Sequence, residues 1–170
     1  MSLQYIEDFA AEAEKDNAVW GLEWTTNGVV AAHAAGNVTV WDPADGSQVA
    51  SYPEHKLGIV SLSRARDESL LTCSADGCVV LWYWKESQLY PVAKCESLRN
   101  VAVDGVPFGA EAWATALHPN DKVFAAASGG SRLGLFSADP RSFGTMLRSI
   151  PVEGLDRDAF GLVLSFVCIC

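Results

Sequence analysis

The sequence predicts an all-β chain built from a repeated four-stranded antiparallel sheet. Three observations predict it. A pattern of apolar strand, small turn and apolar strand closing on an aromatic recurs in "VVAAHAAGNVTVWD" (Val29–Asp42), "LLTCSADGCVVLWY" (Leu70–Tyr83) and "VFAAASGGSRLGLFS" (Val123–Ser137). The recurrence is spaced: Trp41 to Trp82 is 41 residues and Trp82 to Phe136 is 54. The 170 residues are 49% hydrophobic with 6 Trp and 7 Phe, which supplies a core and excludes a disordered composition.

The elements follow in order. "LQYIEDF" (Leu3–Phe9) reads as an outer strand that would complete a last sheet and close a ring. A helix over "EDFAAEAEKDN" is the alternative, because Ala and Glu favour helix. Short apolar strands open the units: "AVWGLEW" (Ala18–Trp24), "GIVSLSR" (Gly58–Arg64), "EAWATAL" (Glu111–Leu117) and, from Asp158, "DAFGLVL". After each closing aromatic comes a further strand: "SQVASY" (Ser47–Tyr52), one inside Ser87–Val103, and "GTMLRSI" (Gly144–Ile150). An insertion around Pro91–Phe108 accounts for the longer second step. The units therefore run over about 16–53, 55–104 and 108–151, with the start of a fourth at about 158–170. Alternation of apolar and polar residues is partial, as expected of strands covered on both faces.

A period of ~40–45 residues with four strands and a closing Trp-Asp pair is the pattern of a β-propeller blade. "TVWD" (Thr39–Asp42) carries that pair as written. On these residues the chain resembles the WD-repeat family, and the implied fold is a partial β-propeller of about three blades. The resemblance also implies one buried hydrogen-bond chain in the second unit, made by His55, Thr72, Asp76 and Trp82. Thr72 would bridge to the indole N–H of Trp82, otherwise an unpaired buried donor, and Asp76 would accept from His55. Gly77 would let the chain reverse with positive φ. Glu54 precedes His55 where the family has Gly. His55, Thr72 and Asp76 are also the residue types of a catalytic triad, but a blade would lock them inside its sheet. The matching positions elsewhere are Lys15, Ala31 and Ala35 in the first unit, and Phe108, Ala126 and Gly130 in the third. Those units are expected to rely on apolar packing alone.

"DNAVWGLEW", "EHKLGIVSLS" and "EAWATALHPNDKVFAAASGGSRLGLF" narrow the resemblance to the WD-repeat subunit of the superkiller (Ski) complex, over most of Asp16 to Phe136. That resemblance implies a non-catalytic scaffold with protein partners, the other Ski-complex subunits. It would serve a cytoplasmic helicase complex that feeds RNA to the exosome. In some lineages it would also join the nuclear Paf1 elongation complex, and in fungi it would support initiation of meiotic recombination. Partner contact is expected at the residues opening each innermost strand, Trp20, Val60, Trp113 and Phe160, on the rim of a central channel. Packing between blades is the alternative role for them. An enzyme framed on a propeller would need a titratable cluster at that mouth, where these positions are aromatic or aliphatic.

Other features narrow the function classes. With 12 basic and 21 acidic residues the net charge is −9, which argues against a direct nucleic-acid surface. No secretory pattern opens the chain, and no apolar run reaches the ~18 residues of a membrane span. These features lead us to expect an intracellular protein, with neither a cofactor nor a small-molecule substrate. The 5 Cys include no Cys-x-x-Cys pair and the 3 His are scattered, so core cysteines are expected rather than zinc ligands. "NVT" (Asn37–Thr39) matches a glycosylation sequon by chance. Phosphate-loop, dinucleotide-loop and nucleophile-elbow motifs are absent from the sequence. Phe160–Cys170, ending "FVCIC", lacks the polar turn expected after a blade's first strand. It reads as a truncated or read-through end, and a fragment without independent function is the alternative to a scaffold.

Overall fold

The computed structural model describes residues 17–108, 112–120, 122–128 and 132–152. In the first sheet β1 (Val19–Thr25), β2 (Gly28–His33), β3 (Val38–Trp41) and β4 (Gln48–Tyr52) pair in sequence order. In the second, β5 (Ile59–Arg64), β6 (Leu70–Ser74), β7 (Val79–Lys85) and β8 (Gln88–Cys95) do the same. A 3-10 turn (Leu98–Asn100) and a hairpin of β9 (Ala102–Val103) with β10 (Val106–Pro107) follow. The third sheet is β11 (Ala112–Leu117), β12 (Val123–Ser128), β13 (Arg132–Ser137) and β14 (Met146–Pro151). Every pairing is antiparallel between strands adjacent in sequence. Such local connections need only tight turns, and Gly36 (φ 89) and Gly77 (φ 80) supply two of them.

The sheets stack face to face. Val30, Ala32, Val38 and Val40 of the first meet Ile59, Leu70, Val80 and Trp82 of the second. The opposite face of the second sheet, Leu71, Cys73, Val79 and Leu81, meets Phe108, Phe124, Ala126 and Phe136. The second sheet is thus buried on both sides, which is why "LLTCS" and "VVLW" read as apolar runs rather than alternations. β1 packs on β5 and β5 on β11, while the fourth strands make no comparable contact with one another. First strands converge and fourth strands diverge, the radial fan of a propeller. The described residues form a partial β-propeller.

Side chains fix how neighbouring sheets sit. Thr115 and Leu117 of β11 donate their backbone N–H groups to Ser61 Oγ and Ser63 Oγ of β5, each at 3.0 Å. Between the first two sheets Arg64 lies 3.5 Å from Glu23 and also pairs with Glu68. Glu68 in turn accepts from Thr26 N at 2.8 Å. Burial raises the pKa of Glu23, with Arg64 opposing the shift.

The insertion lies later than the sequence suggests. Pro91 is inside β8, opposite Trp82, where a bulge skips Val92. An edge strand tolerates Pro because its outward side has no ladder bond to lose. The extra residues follow Cys95: Leu98 is fully buried and its N–H donates to Gly77 O at 3.0 Å. The Leu3–Phe9 strand and its helical alternative, Lys15, Gly130, Phe160, the 158–170 unit and Cys168 and Cys170 lie outside the described residues.

Candidate functional site

The second sheet joins three of the four residues expected to form a chain. Trp82 Nε1 donates to Thr72 Oγ1 at 2.9 Å, and His55 Nε2 lies 2.7 Å from the same oxygen. All three are buried. Asp76 departs from the expectation, since His55 Nδ1 is buried and has no hydrogen-bond partner. Asp76 Oδ1 accepts instead from Ser74 Oγ and, at 3.0 Å, from Cys78 N. Ser74, at the end of β6, captures the carboxylate that the motif assigns to the imidazole. Burial acts to raise the Asp76 pKa, but the Ser74 and Cys78 hydrogen bonds outweigh it and the net shift is downward.

Thr72 Oγ1 accepts from Trp82 and lies 3.5 Å from Val80 O. The donor in its 2.7 Å hydrogen bond with His55 Nε2 is set by the His55 tautomer. Burial, reinforced by the charge of Lys94, lowers the His55 pKa to about 4, with Asp76 acting in the other direction.

The first sheet corrects the expectation of apolar packing alone. Trp41 Nε1 donates to Thr39 Oγ1 at 2.7 Å, and His33 Nε2 lies 2.7 Å from that hydroxyl. His33 Nδ1 is 3.3 Å from Asn17 O. A carbonyl only accepts, so Nδ1 carries the proton and Thr39 donates to Nε2. The parts of this first relay come from other register positions. Ala31 stands where Thr72 does, and Thr39 sits directly across from it on β3. His33 occupies the place of Ser74. The signal was present in "HAAGNVTVW", with hydroxyl and imidazole on the same sheet face as the indole, but not at the motif's spacing. Thr39, the sequon threonine, is buried in this relay.

The third sheet fills the same space with rings. Phe108 meets Phe136 edge-on at 5.2 Å, and Phe124 stacks on Phe136 at 5.2 Å. Gly134, across the sheet from Ala126, makes room, since a Cβ there would overlap the Phe136 ring.

Three of the four residues expected at a rim share a backbone position that their spacing did not announce. Each first strand carries a bulge near its start, between Val19 and Gly21, Ile59 and Ser61, and Ala112 and Ala114. The residues skipped are Trp20, Val60 and Trp113. A bulge re-aims the extra residue out of the alternation of its strand. Trp20 is 57% exposed and Val60 is half-buried. The Trp20 ring lies over Gly58, where a Cβ would stand 2.7 Å from Trp20 Cζ3 and 2.7 Å from Ala34 O. Beside it Val19 and Leu57 are also exposed.

Among the described residues, no group of three or more His, Cys, Asp or Glu could hold a metal ion. Burial pushes the Cys73 thiol up to about 12 and Cys78 to about 11, so both stay protonated.

Residues 46–83, from the turn before β4 through β7, match WD40, "WD domain, G-beta repeat". This segment is a WD repeat. The matched span contains His55, Thr72, Asp76 and Trp82. No curated protein matches the chain. Among solved structures 1166 chains do, so the architecture is common and does not select a function. One belongs to the "Crystal Structure of Mitotic Checkpoint Complex", with 14% identity and a TM-score of 0.63. The match covers 82% of the present chain and 39% of that one, so this chain spans well under half of its neighbour. At that identity the likeness shows the fold alone.

Proposed function

We propose that this chain is a WD-repeat protein-interaction scaffold of the superkiller type, without catalysis of its own. Its partner surface is the rim marked by Trp20, Val60 and Trp113, with Phe160 as the corresponding residue of a fourth blade. The observation that carries the reading is the recurrence of one bulge at one register position in three successive sheets. Folding alone does not require an exposed tryptophan at such a bulge, and tryptophan is a common anchor in protein interfaces. The narrower assignment rests on the sequence resemblance to the Ski-complex subunit. It brings with it the helicase-complex subunits as partners, a cytoplasmic setting, and a nuclear role in the Paf1 complex where lineages have one.

The test is capture of the other Ski-complex subunits by the chain and by its Trp20→Ala/Trp113→Ala variant. Capture should fall at least about tenfold with the melting temperature unchanged, which is the loss of one good anchor. A variant that melts earlier and still captures would assign both residues to packing. A wild-type chain that captures none of these subunits would end the superkiller reading.

A further inference from the structure

The turn between β1 and β2, closed by the pairing of Thr25 with Gly28, carries the step Asn27–Gly28. Asn27 is exposed, and its side-chain amide reaches Thr26 Oγ1 at 3.5 Å, the far limit of a hydrogen bond. Its backbone is held more firmly. Asn27 N–H donates to Thr25 Oγ1 at 3.2 Å, and that hydroxyl donates to Gly28 O at 2.8 Å. Gly28 has φ 137, and a Cβ there would stand 2.6 Å from Trp41 O. The turn therefore sets a glycine behind an exposed asparagine and admits no larger residue in its place. The same turn is docked on the second sheet. Thr26 N–H donates to Glu68 Oε2 at 2.8 Å, and Glu68 also pairs with Arg64. Glu68 holds φ 70, a left-handed conformation that non-glycine residues rarely adopt.

We propose that Asn27 is a site of self-modification, at which Gly28 N attacks the Asn27 side chain and the product releases the turn from Glu68. Gly28 N and Asn27 Cγ are joined through C, Cα and Cβ of Asn27, so rotation of one exposed side chain brings them together. The nitrogen bonds to Cγ, the Cγ–Nδ2 bond breaks, and ammonia leaves with the Gly28 amide proton. Water then adds to either carbonyl of the cyclic imide and opens one C–N bond. Residue 27 becomes an aspartate linked through its α- or its β-carboxyl, and the acid's proton passes to the ammonia. Both products put a carboxylate next to Thr26, where Glu23 and Glu68 already share the Arg64 guanidinium. The β-linked product also lengthens the backbone of the turn by one carbon, which shifts Thr26 N–H against Glu68. The left-handed φ of Glu68 is a cost that its two partners offset, so losing one of them favours release. The other asparagines lack this combination. Val38 follows Asn37 and Val101 follows Asn100, and a β-branched side chain crowds the attacking nitrogen. Asn17 Oδ1 is buried, and Asn120 Oδ1 is held by His118 Nδ1.

The experiment ages the full chain in mildly alkaline buffer and maps its asparagines by mass spectrometry. The samples are the folded wild type, Asn27→Gln, and the wild type unfolded in urea. The folded wild type is expected to gain one mass unit at residue 27 before any other asparagine changes, with both linkages present. The gain should come faster as pH rises, since the attacking nitrogen must shed its proton. Asn27→Gln should stay unmodified, because its larger ring closes less readily, and should keep the wild-type melting temperature. Hydrogen exchange then reads the docking. Thr26 N–H should lose protection in the aged wild type and keep it in aged Asn27→Gln. Modification confined to the urea-unfolded chain would overturn the proposal, because the folded turn would then shield the amide. So would another asparagine that changes first, or a modified residue 27 with Thr26 N–H still protected. No partner enters these readouts, so they are independent of the scaffold reading.

Discussion

At the residue scale, three sheets meet one demand in three ways. An aromatic closing the third strand has to be packed and, where it is an indole, its N–H has to be satisfied. Thr72 and Thr39 do this from different strands, while Phe136 removes the demand by having no polar atom. Thr72→Val should therefore cost about 1–3 kcal/mol, because it strands the Trp82 donor and removes the partner of His55 Nε2 in the core. Urea unfolding monitored by tryptophan fluorescence checks this. His55 also makes stability depend on pH. Its folded pKa is about 4 against an ordinary 6.5, so the unfolded chain takes up the proton first. Stability from this group is complete above about pH 6.5, falls as pH drops and levels off near pH 4, by roughly 3 kcal/mol in all. Unfolding free energies at pH 7, 5.5 and 4.5 should fall in that order, and His55→Phe should flatten the dependence.

At the scale of elements, the docking of neighbouring sheets is written in alternate residues of the first strands. Ser61 and Ser63 point to the third sheet and accept backbone donors from Thr115 and Leu117. Glu23 points to the second sheet and meets Arg64. A Ser61→Ala/Ser63→Ala variant leaves two N–H groups on β11 without acceptors, one of them in a buried pair. It should lose about 1–3 kcal/mol. Hydrogen exchange at Thr115 and Leu117 should speed up while β1 and β2 keep their protection. The short carboxylate network at Arg64 is more exposed and should contribute less.

At the scale of the whole molecule, the described sheets form a stack in which the second sheet is shared between two inter-sheet cores. Stability in such a stack is close to a sum of units and nearest-neighbour interfaces. Thr39→Val, which breaks the first relay, should lower hydrogen-exchange protection in β2 and β3 and leave β12 and β13 unchanged. A uniform loss across all three sheets would mean the stack unfolds as one unit. On blade one, Leu22 and Trp24 are 64% and 68% exposed, on the face turned away from the second sheet. In the second sheet the position matching Leu22 is covered by the preceding sheet, where Leu62 packs against Gly21.

The amino-acid sequence by itself determined the strands, their order and the antiparallel pairing, because turn residues and closing aromatics are local signals. The resemblance of its second unit to a known repeat also implied Thr72 and Trp82 as partners, and the structure joins them. The sequence did not determine where Asp76 points, because the outcome is a competition between Ser74 and His55 that depends on distances across a turn. Nor did it disclose the first sheet's relay, whose hydroxyl and imidazole come together only once β2 and β3 are in register. The bulges at Trp20, Val60 and Trp113 were likewise decided by the tertiary structure. An extra residue in a strand is visible only against the partner strand that skips it.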